Sequence, residues 1–173
     1  MSGPFDSPAG RIRLLQNMPV FGGIRADTLE FLLSGVARVR LARGEYFYRE
    51  GDMADSLFVL ESGRVFLLKH WAGNDYKLKE LVRGNCFGEV AVIDLQPRNT
   101  SSLAAEDSCA LELTEADLYR LYQHDVEQFT LLNMNMAREV CRRLREADER
   151  LFEADVQARR VSISPANLRF SSG

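Results

Sequence analysis

A series of glycines divides the middle of the chain into short segments, and their spacing constrains the fold more than any other feature of the sequence. The glycines recur every seven to twelve residues, at Gly44, Gly51, Gly63, Gly73 and Gly84. Aromatic and aliphatic residues fill the segments at 46–48, 57–60, 65–68 and, further on, 110–113. Short β-type runs that are separated by turn residues at this spacing predict an antiparallel sandwich, barrel or roll.

Local patterns predict the first helices and one turn. Residues 11–17 are expected to form a short helix that ends before Pro19, because a residue before proline avoids the helical region. A second helix is predicted to begin at a capping box, Asp27-Thr28-Leu29-Glu30, with Asp27 as its N-cap. The sequence Glu61-Ser62-Gly63 lies between two apolar runs and predicts the clearest hairpin of the chain.

The C-terminal part of the chain has the period of a long helix. Residues 126–153 contain no glycine or proline, and a helix of this length would extend about 40 Å at about 1.5 Å per residue. Within it, apolar residues alternate at spacings of three and four, at Ala137, Val140, Leu144, Ala147 and Leu151. This alternation is the seam of a coiled coil, and it predicts a homodimer that is joined through the long helix.

Together these patterns predict a mainly β domain with flanking helices, namely an antiparallel sandwich, barrel or roll with N-terminal helices and a long C-terminal helix. Residues 1–10 are expected to form a flexible lead-in, and residues 11–125 the β domain with its N-terminal helices. Residues 126–153 are expected to form a long dimerisation helix, and residues 154–173 a flexible tail.

Charge and cysteine content argue against several functional classes. The formal net charge of −3 and the pI near 5.5 leave no basic surplus for non-specific nucleic-acid binding. The three cysteines are far apart and form no CxxC pair, which argues against a disulfide framework or a zinc site. Residues 1–10 contain no signal-peptide run, and no stretch approaches the roughly 18–20 apolar residues of a membrane span. A cytoplasmic location is therefore expected.

The segment 87–98 reads F-G-E-V-A-V-I-D-L-Q-P-R and carries the chemistry of an anion site. Gly88 allows the backbone to approach a ligand closely, and residues 89–95 can form a short helical turn whose free N–H groups favour an anion. Pro97 stiffens the chain before Arg98, whose guanidinium can bind a phosphate through two parallel hydrogen bonds. Glu89 only accepts hydrogen bonds, as a ligand hydroxyl requires. This combination predicts a sugar phosphate as the ligand.

This segment resembles the phosphate-binding cassette of cyclic-nucleotide-binding domains, as in catabolite activator proteins, cyclic-nucleotide-dependent kinases and gated channels. The resemblance extends over residues 11–153. It includes the N-terminal L-L-Q-N-M-P-V-F at 14–21, the glycine-separated strands at 44–63, and the long helix at 126–153. It implies an antiparallel β roll of jelly-roll type over residues 11–125, with the helix at 126–153 as a lid over the ligand. It also implies a regulatory module rather than an enzyme. This module would bind cAMP or cGMP without a metal or other cofactor and would couple occupancy to movement of the C-terminal helix.

The resemblance also implies roles for single residues. Glu89 is expected to accept from the ribose 2′-hydroxyl, and Arg98 to pair with the cyclic phosphate. Further donors are expected from the backbone N–H groups of Gly88, Glu89, Ala91 and Asn99. Three residues of the long helix are expected to face the base, namely Arg145, Ala147 and Asp148.

The sequence favours cAMP but leaves cGMP open. Asn99 follows the arginine where family members often carry a small residue or a threonine, and a threonine there can favour cGMP. Thr100 and Ser101 could supply hydroxyls in its place. Asp148 could accept from guanine N1–H and its exocyclic amine, or from the N6 amine of adenine.

Transcription factors of this family place a winged helix-turn-helix domain after the long helix. Such a domain takes about 60 residues by the usual size of compact domains. Only 20 residues follow Glu153, and they lack helical periodicity. We therefore expect no DNA binding by this chain.

Two other functions fit parts of the sequence. Glu89 and Arg98 could form an ion pair in a structural or dimerisation module that binds no ligand. A cupin-like metal enzyme would share the β-roll architecture, but it usually holds its metal through two or three histidines and a carboxylate. His70 and His124 are 54 positions apart and are not part of an H-x-H pattern, which makes this enzyme the weaker alternative.

Overall fold

The computed structural model describes residues 8–158, whose strands form two four-stranded antiparallel sheets. The strands are β1 (Ala37–Leu41), β2 (Tyr46–Tyr48), β3 (Ser56–Ser62), β4 (Arg64–Trp71), β5 (Asn74–Val82), β6 (Cys86–Phe87), β7 (Ser101–Ala104) and β8 (Ser108–Thr114). One sheet has the order β1-β8-β3-β6 and the other the order β2-β7-β4-β5. Helices flank both ends of this strand series. The predicted mainly β fold with flanking helices and a long C-terminal helix is confirmed.

The helices precede the first strand, interrupt the last strands and complete the described chain. They are α1 (Pro8–Gln16), α2 (Ala26–Leu33), α3 (Glu89–Asp94), α4 (Glu115–His124) and α5 (Val126–Gln157). Thr114 caps α4, because its side chain accepts from the backbone N–H of Asp117 at 3.2 Å. The Asp117 carboxylate in turn accepts from the backbone N–H of Thr114 at 3.1 Å, which completes a capping box.

Two apolar clusters form the core. One lies where α1, α2, α4 and the first turns of α5 pack on the β1-β8-β3-β6 sheet, and it includes Leu15, Leu29, Leu57, Leu113, Leu121 and Leu132. The other fills the space between the two sheets, with Tyr48, Phe58, Leu60, Val65, Leu67, Leu81, Phe87 and Ala110. Within the second cluster, Phe58 stacks on Phe87 with ring centroids 5.3 Å apart. This aromatic group lies beside the segment that the sequence singled out.

The turn at Glu61-Ser62-Gly63 is not a hairpin, contrary to the prediction. β3 and β4 follow each other directly, yet they belong to different sheets. Gly63 makes this crossing possible, because its φ of +89° lies in the left-handed region. A Cβ atom at this position would also lie 2.3 Å from Ser108 Oγ. The turn therefore carries the chain from one sheet to the other.

Helix ends also differ from the predictions. α1 begins at Pro8, inside the segment that was expected to be a flexible lead-in. α5 continues to Gln157, into the segment that was expected to be a tail. The remaining residues of both segments, 1–7 and 159–173, lie outside the described part of the chain. The N-cap of α2 is Arg25 rather than Asp27, whose carboxylate instead accepts from the N–H of Thr28 at 2.7 Å within the first turn.

The chain divides into two compact units within α5, the first ending at Glu139 and the second beginning at Val140. In the second unit, α5 exposes several large apolar side chains, including Leu144, Leu151, Phe152 and Val156. No helix within residues 8–158 combines the length and the apolar character that crossing a membrane requires.

Candidate ligand-binding site

Backbone hydrogen bonds hold Arg98 between α3 and β7. Its N–H donates to the carbonyl of Asp52 at 2.8 Å, and its own carbonyl accepts from the N–H of Gly51 at 2.8 Å. These two bonds join the segment that follows α3 to the turn between β2 and β3. The side chain of Arg98 points inward as a result, and the residue is only 4% exposed.

The guanidinium of Arg98 is held by neutral groups. Nη1 donates to the carbonyl of Gly88 at 2.7 Å, and Nη2 donates to the carbonyl of Ser56 at 2.6 Å. Ser56 Oγ lies 3.4 Å from the same Nη2. The guanidinium carbon lies 4.3 Å from the centroid of the Tyr48 ring, a cation–π distance. The guanidinium of Arg98 therefore lies over the ring of Tyr48, and its N–H groups donate to backbone oxygens.

The electrostatics of Arg98 favour an anionic partner. Burial lowers the pKa of Arg98 below its ordinary value, and attraction from Tyr48, Asp55 and Asp52 opposes this shift. Arginine nevertheless keeps its charge in proteins, so a buried positive charge remains. Nε of Arg98 is buried and has no hydrogen-bond partner within the described residues. A buried cation that binds only neutral oxygens gains from an anion that supplies both charge and an acceptor.

Gly88 is the N-cap residue of α3 and lies against the guanidinium of Arg98. Its φ of +80° lies in the left-handed region, which glycine adopts without strain. A Cβ atom here would lie 2.7 Å from Arg98 Nη1 and 3.2 Å from Tyr48 Cε1. The first N–H groups of a helix have no intrahelical acceptor, and those of α3 follow directly after Gly88.

Glu89 is the first residue of α3 and is fully buried. Its Oε2 lies 3.9 Å from Cys86 Sγ, which is also buried. The guanidinium of Arg98 donates to the carbonyls of Gly88 and Ser56. The ion pair between Glu89 and Arg98 that a structural module would use stays a prediction. A buried carboxylate at the start of a short helix is suited to accept from a ligand hydroxyl.

The remaining predicted site residues are divided between the two compact units. Ala91 is buried on α3, and Thr100 is buried between Arg98 and β7. Asn99 is exposed, and its carbonyl accepts from Lys69 Nζ at 3.1 Å. Asp148 is exposed on the part of α5 that belongs to the second unit. The structure thus brings Gly88, Glu89, Ala91, Arg98 and Thr100 into one unit, and the role of Asp148 stays a prediction.

Sequence reasoning missed two residues that hold the arginine. Tyr48 on β2 supplies the ring under the guanidinium, and Ser56 on β3 supplies its carbonyl acceptor. Ser56 Oγ also donates to Glu112 Oε1 at 3.0 Å. One signal pointed to Ser56, because it is the polar first residue of a strand whose following residues are all apolar up to Leu60. Nothing in the sequence linked either residue to Arg98.

A separate hollow of about 500 Å³ lies against β1 and β8, away from this site. Its walls come from Arg38, Arg40, Leu41, Ala42, Ser62, Asp107, Ser108 and Cys109. Neither Glu89 nor Arg98 contributes to it. The chemistry of the buried arginine, rather than the size of a surface hollow, therefore identifies the candidate site.

Comparison with known proteins places this geometry in a family. The profile of the family described as cyclic nucleotide-binding domain matches residues 38–125, just over half of the chain. A cyclic AMP receptor protein from Thermus thermophilus is 30% identical over 156 residues, which are 90% of this chain and 70% of that protein. A cAMP-dependent protein kinase regulatory subunit from Emericella nidulans is 27% identical over 107 residues, 62% of this chain and 26% of that protein.

A solved structure shows the same fold. A cyclic nucleotide-binding domain from Methylobacillus flagellatus superposes with a TM-score of 0.76 at 20% identity, over 89% of this chain and 87% of that one. The profile match covers the buried arginine, the Gly88 turn and the strands that enclose them. The resemblance that the cassette indicated is confirmed, and the chain belongs to the cyclic nucleotide-binding domain family.

Proposed function

We propose that this chain is a regulatory sensor module that binds cAMP in preference to cGMP, and that it has no catalytic activity. The observation that carries the proposal is the buried guanidinium of Arg98. Its donors reach only neutral oxygens, and its Nε has no partner within the described residues. A cyclic phosphate supplies one negative charge and several acceptor oxygens that can bind the guanidinium directly.

Each polar group of the site has a role toward such a ligand. Arg98 binds the cyclic phosphate, and the backbone N–H groups of Gly88, Glu89, Ala91 and Asn99 add further donors. The Glu89 carboxylate accepts from the ribose 2′-hydroxyl. Thr100 is buried next to the arginine and can add a hydroxyl contact.

The choice of cAMP is supported by two relatives and by one residue of α5. The relatives from Thermus thermophilus and Emericella nidulans carry cyclic AMP or cAMP in their names. Asp148 on α5 is proposed to accept from the exocyclic amine of the base. Ligand can shift α5 only through different affinities for two positions of this helix. We further propose that the module acts in the cytoplasm as a homodimer.

Isothermal titration with cAMP and 2′-deoxy-cAMP separates the two central side chains. Arg98→Ala should lower the affinity for both ligands alike, because it removes one partner of a desolvated charge pair. The expected loss of binding free energy is about 2–5 kcal/mol, or roughly one and a half to three and a half decades in Kd. Glu89→Ala should lower the affinity for cAMP and hardly change the affinity for 2′-deoxy-cAMP. Arg40→Ala and Glu30→Ala remove exposed side chains of the same types and should leave both affinities unchanged.

Two results would contradict the proposal. If wild-type protein failed to bind cAMP and cGMP at millimolar concentration, the sensor function would be lost and a structural module would be favoured. If Glu89→Ala lowered the affinity for 2′-deoxy-cAMP as much as that for cAMP, the proposed ribose contact would be wrong. Only the proposed role of Arg98 would then remain. Circular dichroism of each variant confirms that it is folded before titration.

A further inference from the structure

The hollow against β1 and β8 has the size and the charge of a site for a small anion. It encloses about 500 Å³, within the range of about 300–1,000 Å³ that small-molecule sites occupy. Among the lining residues that the structure describes, Arg38 and Arg40 are cationic and Asp107 is the single carboxylate. The remaining polar lining consists of two hydroxyls and one thiol, those of Ser62, Ser108 and Cys109. Two guanidinium groups against one carboxylate leave the lining with a positive charge.

Glu61, which does not line the hollow, fixes the orientation of Arg38. The Glu61 carboxylate is buried, and it accepts from Arg38 Nε at 2.7 Å and from Arg11 Nε at 2.9 Å. One carboxylate is thus shared by two arginines, so it balances only one of their two positive charges. Within residues 8–158, Nη1 and Nη2 of Arg38 have no hydrogen-bond partner. Arg38 is therefore oriented through its Nε and contributes a charge that Glu61 only partly balances.

Arg40 lies two residues further along β1, on the same face of the strand as Arg38. Its guanidinium makes no hydrogen bond or ion pair with any residue that the structure describes. Arg40 pairs in the strand ladder with Cys109 on β8. Burial and the nearby Glu61 raise the pKa of the Cys109 thiol, and the positive charges of Arg38 and Arg40 oppose this shift. Both guanidinium groups therefore lie near the same thiol at the wall of the hollow.

The hollow is distinct from the site at Arg98, and β3 connects the two. The carbonyl of Ser56, at the start of β3, accepts from Arg98, whereas Ser62, at the end of the same strand, lines the hollow. A strand of seven residues extends about 20 Å at about 3.3 Å per residue. A molecule in the hollow therefore does not compete for space with a ligand at Arg98.

We propose that the hollow is a second ligand site, which binds a small organic molecule through a phosphate or carboxylate group held by Arg38 and Arg40. Guanidinium groups bind the oxygens of both kinds of anion through charge-assisted hydrogen bonds. The exposed hydroxyl of Ser62 lies in the same lining and can bind the polar body of the molecule. This inference does not depend on cyclic-nucleotide binding, because it uses no residue of the Arg98 site.

The test is an NMR titration that follows the backbone amides of the full chain. Sodium phosphate and sodium malonate are added in separate experiments, and sodium chloride keeps the ionic strength constant. We expect at least one of the two anions to give saturable shifts of residues 38–42 and 107–109, and the anion that binds identifies the group that the site prefers. Arg98→Ala should leave these shifts unchanged, because its side chain lies at the other site.

Two arginine variants test which side chains hold the anion. Arg40→Met should lower the affinity about five- to tenfold, because it removes a charge-assisted hydrogen bond. Arg43→Met is the matched control, since Arg43 is an exposed arginine close in sequence that does not line the hollow. It should change the affinity by less than about twofold, because solvent screens its charge. Circular dichroism confirms that both variants are folded.

Alkylation of Cys109 gives a second measure of occupancy. Cys86 is buried, and Cys141→Ser removes the exposed cysteine, so that Cys109 becomes the thiol that iodoacetamide reaches. The anion that binds should slow this reaction in proportion to the occupied fraction, and Arg40→Met should shift the protection to higher anion concentration.

Absence of saturable shifts with both anions would overturn the proposal, as would equal affinities of wild type and Arg40→Met. Shifts confined to residues 87–98 would also overturn it, because the anions would then bind at the Arg98 site alone. In each of these cases the proposed cyclic-nucleotide binding would stand, since titration with cAMP tests it separately.

Discussion

Gly88 shows how one backbone conformation supports one side chain. Its carbonyl accepts from Arg98 Nη1 at 2.7 Å, and its φ of +80° turns this carbonyl toward the site. A Cβ atom at the same position would lie 2.7 Å from that nitrogen. Two independent requirements, conformation and space, therefore select glycine next to the buried charge.

Gly88→Ala should separate these two requirements when it is compared with Gly44→Ala. Gly44 also has a positive φ, +92°, but a Cβ atom there would meet nothing within 4 Å. Both variants should lose about 1–2 kcal/mol of unfolding free energy in urea, because alanine is strained in this region. Only Gly88→Ala should also lose cAMP affinity, by about tenfold or more, since the guanidinium must move. Equal affinities of the two variants would contradict the proposed position of Arg98.

The residues of the site differ in how far the sequence alone could reveal them. Glu89 and Arg98 lie within one short segment, where their spacing and the glycine before them indicate an anion site. Tyr48 and Ser56 reach the same guanidinium from β2 and β3. Their positions depend on the register of strands in two sheets, and register is set by tertiary packing that a local pattern does not contain.

At the scale of elements, the period of the sequence predicted strands and helices well but not which strands pair. The turn at Gly63 has the local features of a hairpin, yet β3 pairs with β8 and β6 rather than with β4. Both faces of β3 are covered, with residues 56–61 all buried, so it belongs at the centre of its sheet. A turn between two sheets and a hairpin use the same residue types, and only long-range packing distinguishes them.

The start of α5 is an element whose stability should depend on pH. Asp125 precedes the helix and accepts from the N–H of Gln128 at 3.0 Å, and it pairs with Arg25 Nη2. The Gln128 side chain in turn accepts from the N–H of Arg25 at 2.8 Å. The hydrogen bond from Gln128 and then the contact with Arg25 lower the pKa of Asp125. The charged carboxylate therefore joins α5 to the start of α2.

A lowered pKa means that this stabilisation is present above the ordinary aspartate value of about 3.9 and is lost as the pH falls through the folded-state value. Between pH 7 and pH 3, Asp125→Asn should therefore lose less unfolding free energy than wild type. Glu30→Gln, which changes an exposed carboxylate on α2, serves as the control and should follow the wild-type curve closely. Urea unfolding at a series of pH values measures the difference. Identical slopes for wild type and Asp125→Asn would contradict the capping role.

At the scale of the whole molecule, the apolar residues of the second unit favour a dimer. Leu144 and Leu151 are 60% and 62% exposed in the single chain, although both lie on the predicted seam. Large apolar side chains that recur at heptad spacing on one helix face are stabilised when a second helix covers them. We expect a parallel homodimer through α5.

Leu144→Glu should convert this dimer into monomers, because it places like charges opposite each other within the seam. Arg142→Glu changes a position on the opposite side of the helix and should leave the dimer intact. Light scattering of the three proteins, with and without cAMP, measures the mass. A wild-type monomer under both conditions would exclude the dimer, and the proposal for ligand binding would stand unchanged.

The buried guanidinium of Arg98 carries a single positive charge, which also limits the charge of the ligand that the proposed site can bind. A cyclic phosphate diester carries one negative charge, which one arginine in a water-poor site balances. The monoester of a linear nucleotide carries about −1.5 to −2 charges at neutral pH. Its additional charge would enter the same enclosed space, where Arg98 supplies a single positive charge, and the burial of uncompensated charge is costly. We therefore expect the proposed site to distinguish a cyclic nucleotide from its open-chain hydrolysis product by net charge as well as by shape.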